Sequence, residues 1–372
     1  MATAPPMRFL AQSITGEWLH LDLPLIDVEI TYALSGPCQI TGTVDPEQAD
    51  LRDLGLKPWG TWIYAEQEGL IRAGGILRPS SVEEESLSIE AVGFTDYPKM
   101  IPFRGAWTLG NPVGIGIDPL DAVRYLWDYI QDDQRRDLGV TYDNTKTKVK
   151  RGTPQNDNDT DSGPYKLDWW ESVNIGEEIE KLATETPFDF RERYTWNADK
   201  SQVLKHIEFG YPRLGRRQNE LRFAQDENID SLMSVGEDPE TFATLVFVHG
   251  RGEGSAMAYG KAEKHIPGVL PVGVVIEDKT LATKDACQKL AAEELAKRSG
   301  ALETRLQIDE LTMPWYNAHA PLGSFQVGDE ILVVADFAWL GTRKLWHRVT
   351  GITLNVDEET MKLTLRREGL DD

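Results

Sequence analysis

The residues best placed to do chemistry are a glycine cluster, a string of aspartates and six histidines. Gly250-Arg251-Gly252-Glu253-Gly254 follows a β-branched run and has the glycine density of a phosphate-binding loop. It lacks the Gly-Lys-Ser/Thr ending whose lysine and hydroxyl would hold a nucleotide and its magnesium, and no helix pattern opens after it. A dinucleotide fingerprint needs a longer glycine spacing. Gly250, Gly252, Glu253 and Gly254 are therefore expected to form a turn or bulge that only glycine tolerates, with no cofactor. Asp157-x-Asp159-x-Asp161 sets carboxylates at the alternate positions of a calcium loop. Ser162 then stands where the loop needs glycine, and Asp168 replaces the bidentate glutamate, so a solvated polar segment is the better reading.

The histidines (His20, His206, His249, His265, His319, His347) form no pair at metal-ligand spacing. There is no His-Glu-x-x-His and no Gly-x-Ser-x-Gly nucleophile elbow. Cys38 and Cys287 are distant and outside any Cys-x-x-Cys, which makes them ordinary buried thiols of a reducing compartment. Glu83-Glu84-Glu85 and Glu293-Glu294 supply carboxylates, but the first reads as a hairpin turn and neither spacing defines a glycosidase pair. Catalytic residues, metal ligands and cofactors are all expected to be absent. The chain's 11 tryptophans keep carbohydrate stacking open, although core burial explains several of them more simply.

The elements that would position any site are mostly strands. Val28–Leu34, Gln39–Val44, Thr61–Glu66, Leu70–Leu77 and Ser86–Val92 are short, β-branched or alternating runs separated by turn residues. Pro46–Leu56 reads as a short helix. Asp118-Pro119 is a helix start, and the apolar spacing after it predicts a helix over Pro119–Gln134. Asp143–Tyr165 is polar and reads as a long exposed loop. Ile175–Thr184 reads as a second helix and Lys284–Arg298 as a third, ending at Gly300. Strands are expected at Phe188–Trp196, Val203–Tyr211, Ile229–Val235, Ala243–His249, Met257–Gly260 and Val272–Ile276. Four more follow at Glu303–Leu311, Glu330–Phe337, Lys344–Leu354 and Lys362–Arg367.

The fold class is therefore α+β, mainly β, with helical and β insertions between two related β-barrel-like modules. Four segments are expected: an N-terminal barrel-like module over 1–111 and a helical insertion with its polar loop over 112–190. A central β region with a closing helix covers 191–300, and strands completing a second module cover 301–372. The relation between the modules is a spacing. Gly60 precedes Ile63 by three, and Gly75-Ile76 is followed by Leu87 and Ile89. Gly328 precedes Ile331 by three, and Gly351-Ile352 is followed at the same intervals by Leu363 and Leu365. The two glycine pairs differ in separation, as a longer hairpin around Trp339-Leu340-Gly341 would produce. Common descent of the modules and the general sameness of β meanders both account for this echo.

Charge narrows the partners. The 372 residues carry a net −22, while 40% of them are hydrophobic. Such a chain folds, yet it lacks the clustered Lys and Arg that release counterions from nucleic acid. No apolar window approaches a membrane span, and the N-terminus has no signal-peptide pattern. Segment 1–111 holds −8 and 301–372 holds −5, whereas 241–300 is +1. Solubility explains the excess simply, and a surface that repels a polyanion explains it more sharply.

Read in order, several short motifs resemble one family. They are Ser35-Gly36-Pro37-Cys38, Leu56-x-x-Trp59-Gly60-x-Trp62-Ile63 and Gly75-Ile76, then the Gly250–Gly254 cluster. Val327-Gly328-Asp329-Glu330-Ile331 and Arg348-Val349-Thr350-Gly351-Ile352 complete the set. Together they resemble the minor tail proteins of long-tailed phages of actinobacteria, the siphophage relatives of the myophage baseplate hub. The resemblance implies a non-enzymatic virion protein assembled in the host cytoplasm. It implies a homotrimeric hub with two barrel-like domains per subunit in a pseudo-six-fold ring. Such a ring meets a six-fold distal tail protein on one side and a central fibre or tip protein on the other. The tape-measure protein and DNA pass through it in transit. A carbohydrate-binding or carbohydrate-active receptor-recognition protein is the rival, and the distal tail ring itself is a third possibility.

Overall fold

The structure is a computed structural model describing residues 5–45, 47, 54–79, 82–83, 86–109, 116–152, 165–225, 227–235, 242–299, 307–337 and 341–367. It divides into two compact units, Met1–Ser231 with Thr312–Thr364, and Leu232–Leu311 with Leu365–Asp372. The expected segment boundaries near 111 and 190 both fall inside the first unit. The fold class is α+β and mainly β, as the residue patterns indicate.

The first unit begins with β1 (Arg8–Ser13), β2 (Trp18–His20), β3 (Leu25–Ala33), β4 (Gln39–Val44), β5 (Thr61–Gln67) and β6 (Leu70–Leu77). β7 (Val82–Glu83), β8 (Ser86–Val92) and β9 (Ala106–Leu109) follow. The next stretch holds α1 (Pro119–Gln131), β10 (Val140–Tyr142), β11 (Tyr165–Asp168) and α2 (Ile175–Glu185). It continues through β12 (Asp189–Trp196), β13 (Val203–Gly210) and β14 (Arg217–Ala224). The chain passes through β15 (Ser231–Val235) into the second unit, which contains β16 (Leu245–His249), β17 (Tyr259–Glu263), β18 (Gly273–Glu277) and α3 (Lys284–Arg298). It returns through β19 (Gln307–Pro314) to β20 (Glu330–Phe337), β21 (Gly341–Asn355) and β22 (Thr360–Arg366).

In the first unit one sheet runs β22-β21-β3-β4-β8-β6-β5-β1-β2. The first part of β21 pairs antiparallel with β20, from Gly341 opposite Phe337 to Arg348 opposite Glu330. Its last part pairs with β3, from Gly351 opposite Ala33 to Asn355 opposite Glu29. β14 lies parallel to β20. A smaller sheet, β10-β13-β12, packs with α1 and α2 in one core. Helix α1 starts as expected: Asp118 accepts from the Leu120 amide at 3.0 Å, and Pro119 occupies the first turn. Leu120, Val123, Leu126, Trp127 and Ile130 form its buried stripe. Asn174 caps α2 in the same manner through the Glu177 amide.

That core is built on aromatic rings. Trp62 stacks on Tyr64 at 5.9 Å, Tyr64 meets Tyr194, Tyr194 meets Phe94 at 5.5 Å, and Phe94 meets Trp127. The rings thus run from β5 across β12 to α1, favouring edge contacts over face-to-face stacking at all but one step.

Several strands carry no legible pattern. In β1, Phe9, Leu10, Ala11 and Gln12 are all buried, so alternation is lost. β14 reads Arg-Gln-Asn-Glu-Leu-Arg-Phe-Ala, too polar to announce a strand, yet it pairs parallel with β20. The stretch expected as a free loop is knitted to α1 over residues 143–152. Arg124 donates to the Asp143 and Thr145 carbonyls, and the Thr147 amide donates to Asp118. Side chains at α1 hold its backbone, while its own Asn144, Lys146, Lys148 and Lys150 face water. The helix expected over Pro46–Leu56 falls largely outside the described residues.

The second unit is a three-stranded sheet, β17-β16-β18, with α3 against one face. Ala243, Val246, Val248, Cys287 and Ala291 form its buried core. Thr283 caps α3 through the Ala286 amide, and Ser299 closes it.

Candidate functional site

The first and last meanders have the same strand order. β6 lies between β5 and β8, and β21 lies between β20 and β22. Gly60 precedes β5 and donates to the Lys57 carbonyl at 2.9 Å. Gly328 precedes β20 at φ +96°, a left-handed backbone that disfavours side chains, and donates to the Val349 carbonyl at 2.7 Å. Gly75 sits in β6 facing β8, where an added Cβ would lie 2.6 Å from the Ala91 carbonyl carbon. Gly351 sits in β21 facing β22, where the nearest atom to such a Cβ is on the Thr364 side chain at 3.3 Å. The four glycines lie at or beside corresponding strands, but their surroundings differ: Gly328 is left-handed and Gly60 is not, and Gly75 meets backbone where Gly351 meets a side chain.

Strand β12 reaches both meanders, one with each face. Its residues alternate between two sides, as any strand's must. On one side, the Asp189 carboxylate accepts from the Leu214 amide at 2.8 Å and from the Arg348 guanidinium. Arg348, nearly buried, also donates to the Gly328 and Leu214 carbonyls at 3.1 and 2.8 Å. Arg191 donates to the Val327 carbonyl at 3.0 Å and to Glu208 at 2.9 Å. Asp329 tightens the same region, accepting from the Arg216 amide, the Gln326 amide and the Gln218 side chain.

The other side of β12 serves the first meander. Phe190 exchanges hydrogen bonds with Ser35 in the β3–β4 turn: the Ser35 amide donates to its carbonyl, and its own amide donates to Ser35 Oγ. Glu192 accepts from the Cys38 amide at 3.1 Å, the Thr95 amide at 2.6 Å and the Tyr194 hydroxyl at 3.0 Å. Its carboxylate rests against Gly93, where no side chain would fit. Burial pushes the Glu192 carboxyl up to about 7, although all three donors act to lower it. Burial also raises the Cys38 thiol, with the neighbouring Glu192 adding to the shift. The Tyr194 ring lies on Gly74 of β6. Glu192 binds three donors from three segments and so fastens elements of the first unit, while on the opposite side of β12 Arg191, Gln218 and Asp329 line a polar cavity.

Sequence reasoning did not identify Asp189, Arg191, Glu192 or Arg348. A signal was present: Asp-Phe-Arg-Glu-Arg-Tyr is a strand with charges on both faces, and such a strand needs partners on both.

The Gly250–Gly254 loop joins β16 to β17 in the second unit. Gly252 and Gly254 have φ of +110° and +56°. A Cβ on Gly250 would lie 2.5 Å from the Leu281 carbonyl and 2.7 Å from Cys287 Sγ. Glu253 is exposed. Cys38 and Cys287 are buried free thiols. Asp157, Asp159 and Asp161 lie outside the described residues, among which no cluster of metal-binding side chains occurs. No described helix is long and apolar enough to cross a membrane. Trp62, Trp127 and Trp315 are buried, but burial does not account for Trp169 and Trp170, which are 59% and 61% exposed.

No family model matches the sequence, and no curated protein matches it. Solved structures do match. The 43 kDa tail protein of prophage MuSo2 from Shewanella oneidensis is 11% identical, with a TM-score of 0.55 over 97% of this chain and 98% of that one. A tail protein from Neisseria meningitidis MC58 is 14% identical, with a TM-score of 0.54 over 98% of each chain. The prophage tail protein gp18 from Listeria monocytogenes EGD-e is 11% identical, with a TM-score of 0.52 over 98% of this chain and 95% of that one. At these identities the likeness is one of fold, and the fold of this chain is that of phage tail proteins.

Proposed function

We propose that the protein is a structural component of a phage tail tip, a homotrimeric hub that closes the tail tube of a siphophage infecting actinobacteria. The observation that carries the reading is one chain holding two meanders of identical strand order, joined in one sheet through β3 and β4. Three copies of such a chain present six similar units, which adapts a six-fold distal tail ring to a three-fold tip. The likeness in fold to phage tail proteins supports the same role. The partners are two further copies, the distal tail ring, the tape-measure protein and a central fibre or other tip protein. No reaction is catalysed and no cofactor is held. The work is symmetry matching, plugging and later opening.

The acidity fits the role. DNA passing through a hub must not adhere, and the −8 and −5 of the 1–111 and 301–372 segments repel phosphate if they line the passage. The exposed Trp169–Trp170 pair keeps a second reading, glycan recognition at the host surface, in view. Their rings stand at 82° to each other, so they offer no shared flat platform for a sugar. Light scattering tests the first reading: a trimer is expected, and a stable dimer would overturn it. A glycan-array signal lost in Trp169→Ala with Trp170→Ala would favour the second.

A further inference from the structure

The second unit finishes its small sheet in two different ways. At β17 the outer edge is closed from within, because Gln288 of α3 donates to the Lys261 carbonyl at 2.7 Å and accepts from the Lys261 amide at 3.2 Å. One side-chain amide thus stands in for a neighbouring strand. The β18 edge has no such cover. The Leu245 amide donates to the Val272 carbonyl, and the Asp278 amide donates to His249, so the even-numbered peptides face β16. Gly273, Val275 and Glu277 therefore turn their N–H and C=O groups outward, and among the described residues none of the three has a further partner. Regular register, an extended backbone and unpaired peptide groups make this a template for another strand.

Composition sharpens the contrast. Ile266–Ile276 contains no charged residue, in a chain where 27% of residues are charged. It also collects all of the second unit's exposed large apolar side chains among the described residues except Tyr259: Val269, Leu270 at 83% exposure, Val272, and Val275 at 54%. Natural edge strands are normally guarded by lysine, an inward charge or a bulge. Here β18 has none of these before Glu277, although the same unit guards its other edge.

We infer that the β18 edge is a docking site for an extended, uncharged segment of a different tail protein, which adds as a strand beside Gly273–Glu277. Strand addition would satisfy the outward peptide groups, and alternate side chains of the incoming segment would cover Val275 and Phe247 on the face opposite α3. The occupant is uncharged opposite Val275 because a charged residue there would be desolvated against that side chain. It is a different chain for a reason that rests on the trimeric reading above. Two β18 edges can pair about a two-fold axis, but three edges cannot all pair with one another, so self-pairing leaves one open; another segment of a neighbouring copy is the alternative that exchange in the free chain separates.

The test compares hydrogen exchange in the free full-length chain and in purified tails. Gly273, Val275 and Glu277 should exchange freely in the free chain and slow by about a hundredfold or more in tails. Val275→Pro removes an outward donor without touching the β16 ladder, and Val275→Lys places a charge on the edge. Both should keep the wild-type mass and melting temperature while incorporation into tails falls about tenfold or more. Protection already present in the free chain would assign the edge to a second copy and overturn the proposal. Fast exchange persisting in tails, or wild-type incorporation of both variants, would overturn it as well. A free chain that is not trimeric would count against the trimeric reading alone, while exchange in tails would still decide the edge.

Discussion

The two meanders share an order but differ in how they are covered. Every residue of β5 is buried, because β5 lies in the large sheet with the aromatic core of Trp62, Tyr64 and Tyr194 against it. β20 alternates buried and half-exposed positions over the same length. β6 ends at Leu77, whereas β21 runs on past its own hairpin and uses its last five residues to pair with β3. The first meander is buried as a foundation, and the second keeps one face half-exposed and extends β21 to pair with β3. The outer neighbours diverge in the same sense, β1 being antiparallel to β5 and β14 parallel to β20.

Cutting the tie on the second meander should have the largest effect. Arg348→Ala removes the counter-ion of the Asp189 carboxylate, which keeps only the Leu214 amide, and the guanidinium donor of two carbonyls, at an expected cost of about 3–5 kcal/mol by denaturant unfolding. The glycine pair distinguishes the meanders next. Gly75→Ala forces a methyl into the β8 backbone and should cost about 1–3 kcal/mol. Gly351→Ala meets only the movable Thr364 side chain and should cost less than about 1 kcal/mol. Equal costs would mean that the two meanders are packed alike.

The tie to the first meander can be read by pH. The Glu192 carboxyl holds its proton up to about 7 in the fold, against about 4.3 when unfolded, so the folded state binds more protons between those values. Its contribution to stability is therefore complete below the unfolded value and is lost as pH rises toward 7. Glu192→Gln should remove that part of the pH profile, measured as melting temperature across the range. Smallest of all, Trp169→Ala and Trp170→Ala should each change stability by about 0.5 kcal/mol or less, because both rings are exposed.

Much of this was legible in the residues. Gln39–Val44, Leu70–Leu77, Ser86–Val92, Glu330–Phe337 and Lys284–Arg298 lie where period and caps put them, because each follows a local rule. The glycines at Gly328 and Gly75 answer to local needs, a left-handed turn and a close strand approach, which their counterparts Gly60 and Gly351 do not share. β1, β14 and the fastening of residues 143–152 were not legible, since each depends on partners far along the chain. The same holds for β12. Its charges announce that it must pair, but that Asp189 meets Arg348 and Glu192 meets Cys38 is a property of the folded arrangement alone.

The central claim is that one chain supplies two of six units. Counting copies per tail, by mass of the isolated tip complex or by symmetry of its image, tests it most directly. Three copies with pseudo-six-fold density around the axis is the predicted result. Six copies would make the protein a ring with one unit per chain and contradict the account.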